Sequence, residues 1–184
     1  MRNLVLLAVA VVTLSGCANR AVHTADSPYA AERLAGADFI LDQSLTVPAG
    51  RARVFMQDGT VVRGFDQYRP HCALEIRSVQ HDGFEVAPGV FRITRVQHSL
   101  EQVVDAGGRQ LARTLPGVWL GRLIDGGGSA SFHQGYHFWL DAPQRPQVMR
   151  LSCYGTYDQP PDLRPPTLTE IRTALGRLGR IVDT

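Results

Sequence analysis

The stretch Ala73-Leu74-Glu75-Ile76-Arg77-Ser78-Val79 decides the fold class. Apolar Leu74 and Ile76 alternate with charged Glu75 and Arg77, and a period of two sends these two kinds of side chain to opposite faces of a strand. The pattern predicts a sheet with one buried and one wet face, Glu75 and Arg77 lying on the solvated side. Outward from this segment, short runs rich in Val, Ile, Phe and Thr recur from Phe39 onward, separated by Gly, Pro and Asp. Strands are expected over 39–41, 45–47, 52–57, 61–65, 73–79, 84–86, 91–98, 118–124, 131–140 and 147–154. Asp58-Gly59 and Asp82-Gly83 lie between apolar runs and read as tight hairpin turns, because both residue types tolerate positive φ.

One helix is expected near the C-terminus, over about 167–178. Thr167 stands three residues before Glu170 in a capping box, and Pro165-Pro166 block an earlier start. Leu168, Ile171, Leu175 and Leu178 recur at helical spacing and form a stripe that packs on the sheet. A stripe left free would instead dock a partner or lie on a membrane; Gly176 and Gly179 weaken such an autonomous helix. The expected fold is therefore mainly β, an antiparallel β-sandwich or partly open barrel with one C-terminal α-helix, in a single domain over 38–184.

The first residues have a different character. After Arg2 comes an apolar run from Leu4 to Val12, too short to span a bilayer, followed by Leu14-Ser15-Gly16-Cys17. This signal and lipobox resemble those of bacterial, Gram-negative lipoproteins. The resemblance implies that residues 1–16 are a removed signal peptide, and that Cys17 receives a diacylglyceryl group and becomes the first mature residue. It also implies a lipid anchor in the outer membrane facing the periplasm, since Ala18, and not Asp, follows Cys17. The mature domain resembles the small envelope lipoproteins to which no activity is assigned. Residues 17–37 are Ala-rich and polar, with a short helical piece around 29–34, and read as a tether; about 20 flexible residues reach on the order of 25 Å.

Composition bounds the partners. The chain has 19 basic and 17 acidic side chains, a formal net charge of +2, which gives no electrostatic reason to expect nucleic acid. Every basic residue is Arg, a pattern that a GC-rich genome explains as readily as guanidinium recognition of anions. With Cys17 lipidated, Cys72 and Cys153 remain as an even pair in an oxidising compartment, and a disulfide between them is expected. A redox or metal role for that pair lacks close Cys-x-x-Cys spacing.

Two stretches carry candidate chemistry. In His133-Gln134-Gly135-Tyr136-His137 the histidines lie four apart, so on a strand both project from one face and approach one metal ion. A third ligand would come from His71, His81, His98 or Asp141, none of which the spacing selects; the ordinary explanation is an amphipathic strand meeting water. In Phe65-Asp66-Gln67-Tyr68-Arg69-Pro70-His71-Cys72 aromatic, guanidinium and imidazole groups precede the expected disulfide, which would bring Tyr154, Tyr157 and Asp158 alongside. Tyr68, Arg69, His71, Tyr154 and Tyr157 form the candidate binding surface, suited to a glycan or peptide through stacking and contacts from Arg69. The ordinary explanation is a loop hydrogen-bonded to fix the approach to the disulfide.

The sequence points to no catalytic residue and no cofactor. Gly126-Gly127-Gly128 lacks the Lys of a phosphate loop, and Ser129 and Ser131 lack a nucleophile elbow. The function expected is a non-catalytic binding or accessory role in the cell envelope, with the membrane as one partner through the anchor and an envelope protein or glycan as another. The alternatives are a small periplasmic metal-dependent hydrolase built on His133 and His137, and a lipocalin-like carrier of an apolar ligand, which needs an unfilled barrel interior.

Overall fold

A computed structural model describes residues 27–103, 131–158 and 162–183. Cys17 with its signal, the strand expected over 118–124, Gly126-Gly127-Gly128 and Ser129 lie outside the described residues. The strands are β1 (Asp38–Leu41), β2 (Leu45–Val47), β3 (Arg53–Gln57), β4 (Thr60–Val62), β5 (His71–Ile76), β6 (Phe84–Val86), β7 (Gly89–Val103), β8 (Ser131–Asp141), β9 (Val148–Tyr154) and β10 (Gly179–Val182). One helix, α1 (Leu168–Leu175), precedes β10, and a short 3-10 helix (Ala30–Leu34) precedes β1. Eight strands form one antiparallel half-barrel sheet in the order β10-β1-β7-β8-β9-β5-β3-β4, while β2 and β6 pair separately.

Cross-strand register separates two faces. Leu74 pairs with Leu151 and Val54, Cys72 with Cys153 and Met56, and Tyr136 and Phe138 pair with Cys153 and Leu151. These side chains are all buried and, with Phe39, Phe91 and Ile93, make the core. Helix α1 packs Ile171, Ala174 and Leu175 into this core and meets β3, β5 and β10. The opposite face carries the intervening residues Arg53, Phe55, His71, Glu75, Arg150, Ser152, Tyr154, His133, His137 and Glu101. Cys72 and Cys153 are directly opposed on β5 and β9, form a disulfide and are wholly buried.

Asp58-Gly59 makes the expected tight turn, with φ of 51° and 70° and Gln57 opposite Thr60. Asp82-Gly83 does not: β5 pairs with β3 and β9, β6 pairs with β2, and the turn only returns the chain to β6. Strand β5 begins earlier and stops at Ile76, where the register shifts, so Val79 lies outside it. Helix α1 starts at the capping box, Thr167 Oγ1 accepting from the Glu170 N–H and the Glu170 carboxylate accepting from the Thr167 N–H. It ends three residues before the expected 178. Gly176 takes φ 50° there and lies against Gly59, so close that a Cβ on Gly176 would sit 2.4 Å from the Gly59 Cα. Leu178 is still buried, from the turn that follows, and the chain turns straight into β10 on β1.

The last part of the segment expected as a tether is packed on the domain. Ala30, Ala31, Leu34 and Ala37 are buried in the core, the Tyr136 hydroxyl donates to the Pro28 carbonyl at 2.5 Å, and the Ile93 N–H donates to Ala37. Small alanines let this segment lie flat against the β7 side of the sheet, so the domain begins before β1.

Candidate functional site

The polar face is the candidate site, and burial is its unexpected property. Glu75, expected in solvent, is 5% exposed. Its carboxylate accepts from Ser152 Oγ at 2.6 Å and from the Arg150 guanidinium at 3.1 Å. Arg150 in turn lies over the Trp139 ring, whose other neighbour is Arg95. His137 Nδ1 is 2.8 Å from Ser152 Oγ; because that hydroxyl already donates to Glu75, the imidazole is the donor. The alternation therefore gives the correct face for Glu75, yet its neighbours across β9 and β8 bury it. Arg77, past the end of β5, is exposed as expected and donates through Nε to the Pro146 carbonyl. Glu75→Ala leaves Arg150 and Ser152 without their shared acceptor and is expected to cost about 2 kcal/mol in urea unfolding, whereas Glu85→Ala, at an exposed position, stays within about 0.5 kcal/mol.

Beside this network the sheet gathers aromatic rings and histidines. His71, on β5, is sandwiched between Phe65, stacked at 3.7 Å, and Tyr154, its cross-strand partner, at 5.6 Å between ring centres. His133, on β8, stands edge-on to His71 at 5.6 Å and 85°. Tyr157 lies 5.5 Å from His133, and Tyr68 meets Tyr157 edge-on at 5.6 Å. The loop carrying Phe65 and Tyr68 is templated by buried Gln57. Its amide nitrogen donates to the Asp66 and Arg69 carbonyls, and its amide oxygen accepts from the Asp66 N–H. The Tyr157 N–H donates to the Gln67 carbonyl and ties this loop to the segment after β9.

Gly135 seats Tyr154. A Cβ there would lie 2.3 Å from the Cys153 carbonyl oxygen and 2.5 Å from the Tyr154 ring. The bare backbone of β8 lets that ring cross it and reach β7, where the Tyr154 hydroxyl donates to Glu101 and lies 3.3 Å from Ser99 Oγ. Burial, followed by the bond to Glu101, holds the Tyr154 phenol protonated far above the usual range.

Arg53, Phe55, Phe65, His71, Ala73, Glu101, His133 and Tyr154 line a cavity of about 90 Å³. His71 and His133 are 3% and 4% exposed, and His71 Nδ1 and His133 Nε2 have no hydrogen-bond partner. A buried polar atom left without a partner costs about 1–3 kcal/mol, so this is a costly place to bury two imidazoles. Burial, reinforced by neighbouring His133, pushes His71 down to about 4 against the pull of the Arg69 carbonyl. Burial also lowers His133, against the pull of the Gly155 carbonyl, and lowers His137. All three imidazoles are neutral at pH 7.

Of the sequence candidates, His71, Tyr154, Tyr157 and Tyr68 converge as expected, because the disulfide and the β5–β9 register bring their segments together. Arg69 does not join them: its guanidinium pairs with Asp58 at 2.7 Å, on the turn. His133 and His137 do share a face, but the pairing differs from that expected. His133 associates with His71, while His137 is committed to Ser152. Among the described residues no group of three His, Cys, Asp or Glu side chains is placed to hold a metal ion. His98 lies on the other face, 3.0 Å from Glu32. Sequence reading missed Glu101, Phe55 and Ser152, whose places follow only from strand register. Gly135, between the two histidines, was the available signal for close approach of another chain segment. Comparison with protein-family models, curated proteins and solved structures finds no match to this chain.

Proposed function

We propose that this protein is a lipoprotein anchored through Cys17 in the outer membrane, with a non-catalytic binding or accessory role in the cell envelope. It meets an envelope protein or glycan through the aromatic rim formed by Tyr68 and Tyr157. The observation that carries the reading is the exposure of Tyr68: it is 64% exposed, while the loop beneath it is fixed by Gln57 and Tyr157. An aromatic ring held in solvent on a rigid loop presents contact area at low entropic cost. The lipobox supports the anchor, and the Cys72–Cys153 disulfide fits an exported protein.

The alternatives have less support. A hydrolase on His133 and His137 lacks a third ligand among the described residues, and His133 stands beside His71. A carrier would need space on the apolar face, which Tyr136, Phe39, Phe91 and Phe138 fill.

A photocrosslinking amino acid placed at Tyr68 in cells of the native host tests the rim. A discrete adduct is expected from this position and none from Val79, which is also exposed but lies beyond the Ile76 end of β5, opposite the end that carries His71. Equal yields at both positions, or no adduct at Tyr68, overturn the reading.

A further inference from the structure

The cavity beneath the rim has a lining that matches one functional group. We propose that it takes the acetamido group of an N-acetylated amino sugar, which rests on the glycan reading above and narrows it to an acetylated glycan. The lining is polarised across the sheet. In the strand order β7-β8-β9-β5-β3, Glu101 and His133 come from β7 and β8 at one side and Arg53 from β3 at the other, with Tyr154 and His71 between them. His133 Nδ1 lies 3.3 Å from the Gly155 carbonyl, which can only accept, so that nitrogen carries the proton; Nε2 is left as an acceptor, buried and without a partner. Glu101 is a second acceptor, since a carboxylate that takes the Tyr154 hydroxyl keeps further lone pairs. Arg53 is the donor. Its guanidinium lies over the Phe55 ring, 6.0 Å from the ring centre, and its cross-strand neighbour Glu75 pairs with Arg150 instead.

Charge and direction select the ligand. One guanidinium and one carboxylate on opposite sides, with the imidazoles neutral at pH 7, give a lining without net charge, so an ion of either sign meets a like charge in the wall. A neutral group with a strong dipole gains at both ends. A trans secondary amide points its N–H and its C=O in opposite directions and carries a dipole of about 3.5 D. Its N–H suits the side of His133 and Glu101, and its carbonyl the side of Arg53. Phe55, Phe65 and Ala73 supply the apolar wall that an acetyl methyl fills and a hydroxyl group does not.

Size sets how much of the sugar enters. The non-hydrogen atoms of an acetamido group fill about 80 Å³ at interior packing density. The cavity offers about 90 Å³. A whole amino sugar is several times larger and stays outside. Its ring then lies at the rim, where Tyr157 is 5.5 Å from His133 and Tyr68 meets Tyr157 edge-on. An aromatic ring covers the C–H bonds of a sugar face, and exposed Tyr68 is placed for that contact. Asn and Gln side chains of a protein partner end in a primary amide and would leave the apolar wall without its methyl.

The test uses the full protein in detergent, titrated calorimetrically with triacetylchitotriose and with cellotriose, which has the same linkage and no acetamido group. The acetylated trimer is expected to bind at least tenfold more tightly. Arg53→Leu and His133→Phe are each expected to weaken it at least tenfold, and Arg51→Leu, at an exposed position outside the lining, to leave it unchanged. Saturation-transfer NMR on the wild type reads the site even if a variant misfolds, and the acetyl methyl protons are expected to take up the most saturation. No binding of the acetylated trimer, equal binding of cellotriose, or binding indifferent to both Arg53 and His133 overturns the proposal. A protein adduct at Tyr68 with no trimer binding overturns the acetamido site and keeps the rim, whereas selective trimer binding with no adduct does the reverse.

Discussion

Replacing Cys72 and Cys153 together by Ala lowers stability by about 4.5 kcal/mol in urea unfolding. That is the chain-entropy value for releasing a closed loop with a sequence separation of 81 residues. It is a large fraction of the roughly 5–15 kcal/mol that holds a domain together. The loss also reaches the site, because the disulfide joins β5 to β9 one residue from His71 and Tyr154. Both sulfurs are wholly buried, so reduction of the folded protein should be slow and should accelerate in urea. A loss below about 1 kcal/mol would mean that the β5–β9 pairing and core alone hold these strands.

Acid is the second large perturbation. The unfolded chain binds a proton at His71 near the ordinary imidazole pKa of 6.5, whereas in the folded protein burial and His133 delay protonation to about 4. Between these values the unfolded state holds more protons, so stability is fully present above pH 6.5, falls as the pH drops through this window and levels off below it. His71 alone accounts for about 3 kcal/mol, and His133 and His137 shift in the same direction. Other charges face this cluster: Arg53 from β3, Glu75 from β5, Glu101 from β7 and Arg150 from β9. Their contribution is removed by comparison with His71→Gln. Urea midpoints at pH 7 and pH 4 should differ less in that variant than in wild type; equal differences would contradict a neutral, buried His71.

Period-two alternation was enough to read the sheet, because the face it predicts is set by backbone geometry alone. What it could not give was the burial of the second face. Leu74 and Ile76 point to the core as expected, but Glu75 is covered by Arg150 and Ser152, whose approach depends on the register of β9 against β5. The helix start was legible in Thr167 and Glu170, which act locally. Its end was not, since the stripe through Leu178 continues the pattern while the backbone at Gly176 follows contact with Gly59, over a hundred residues earlier in the chain. β10 was lost for the same reason. The early part of the binding surface was legible once the two cysteines were paired. The His71–His133 pair was not, because β8 takes its place beside β9 by register, and linear spacing favoured the partner His137.

Anchoring at Cys17 and an envelope-binding face on the β domain are both read by native mass spectrometry of the protein extracted gently from envelopes of its own host. The expected species is a chain beginning at Cys17, heavier by its lipid and lighter by two hydrogens for the disulfide, with an envelope protein or glycan bound. A chain that keeps residues 1–16, or that carries neither lipid nor bound species, would contradict it.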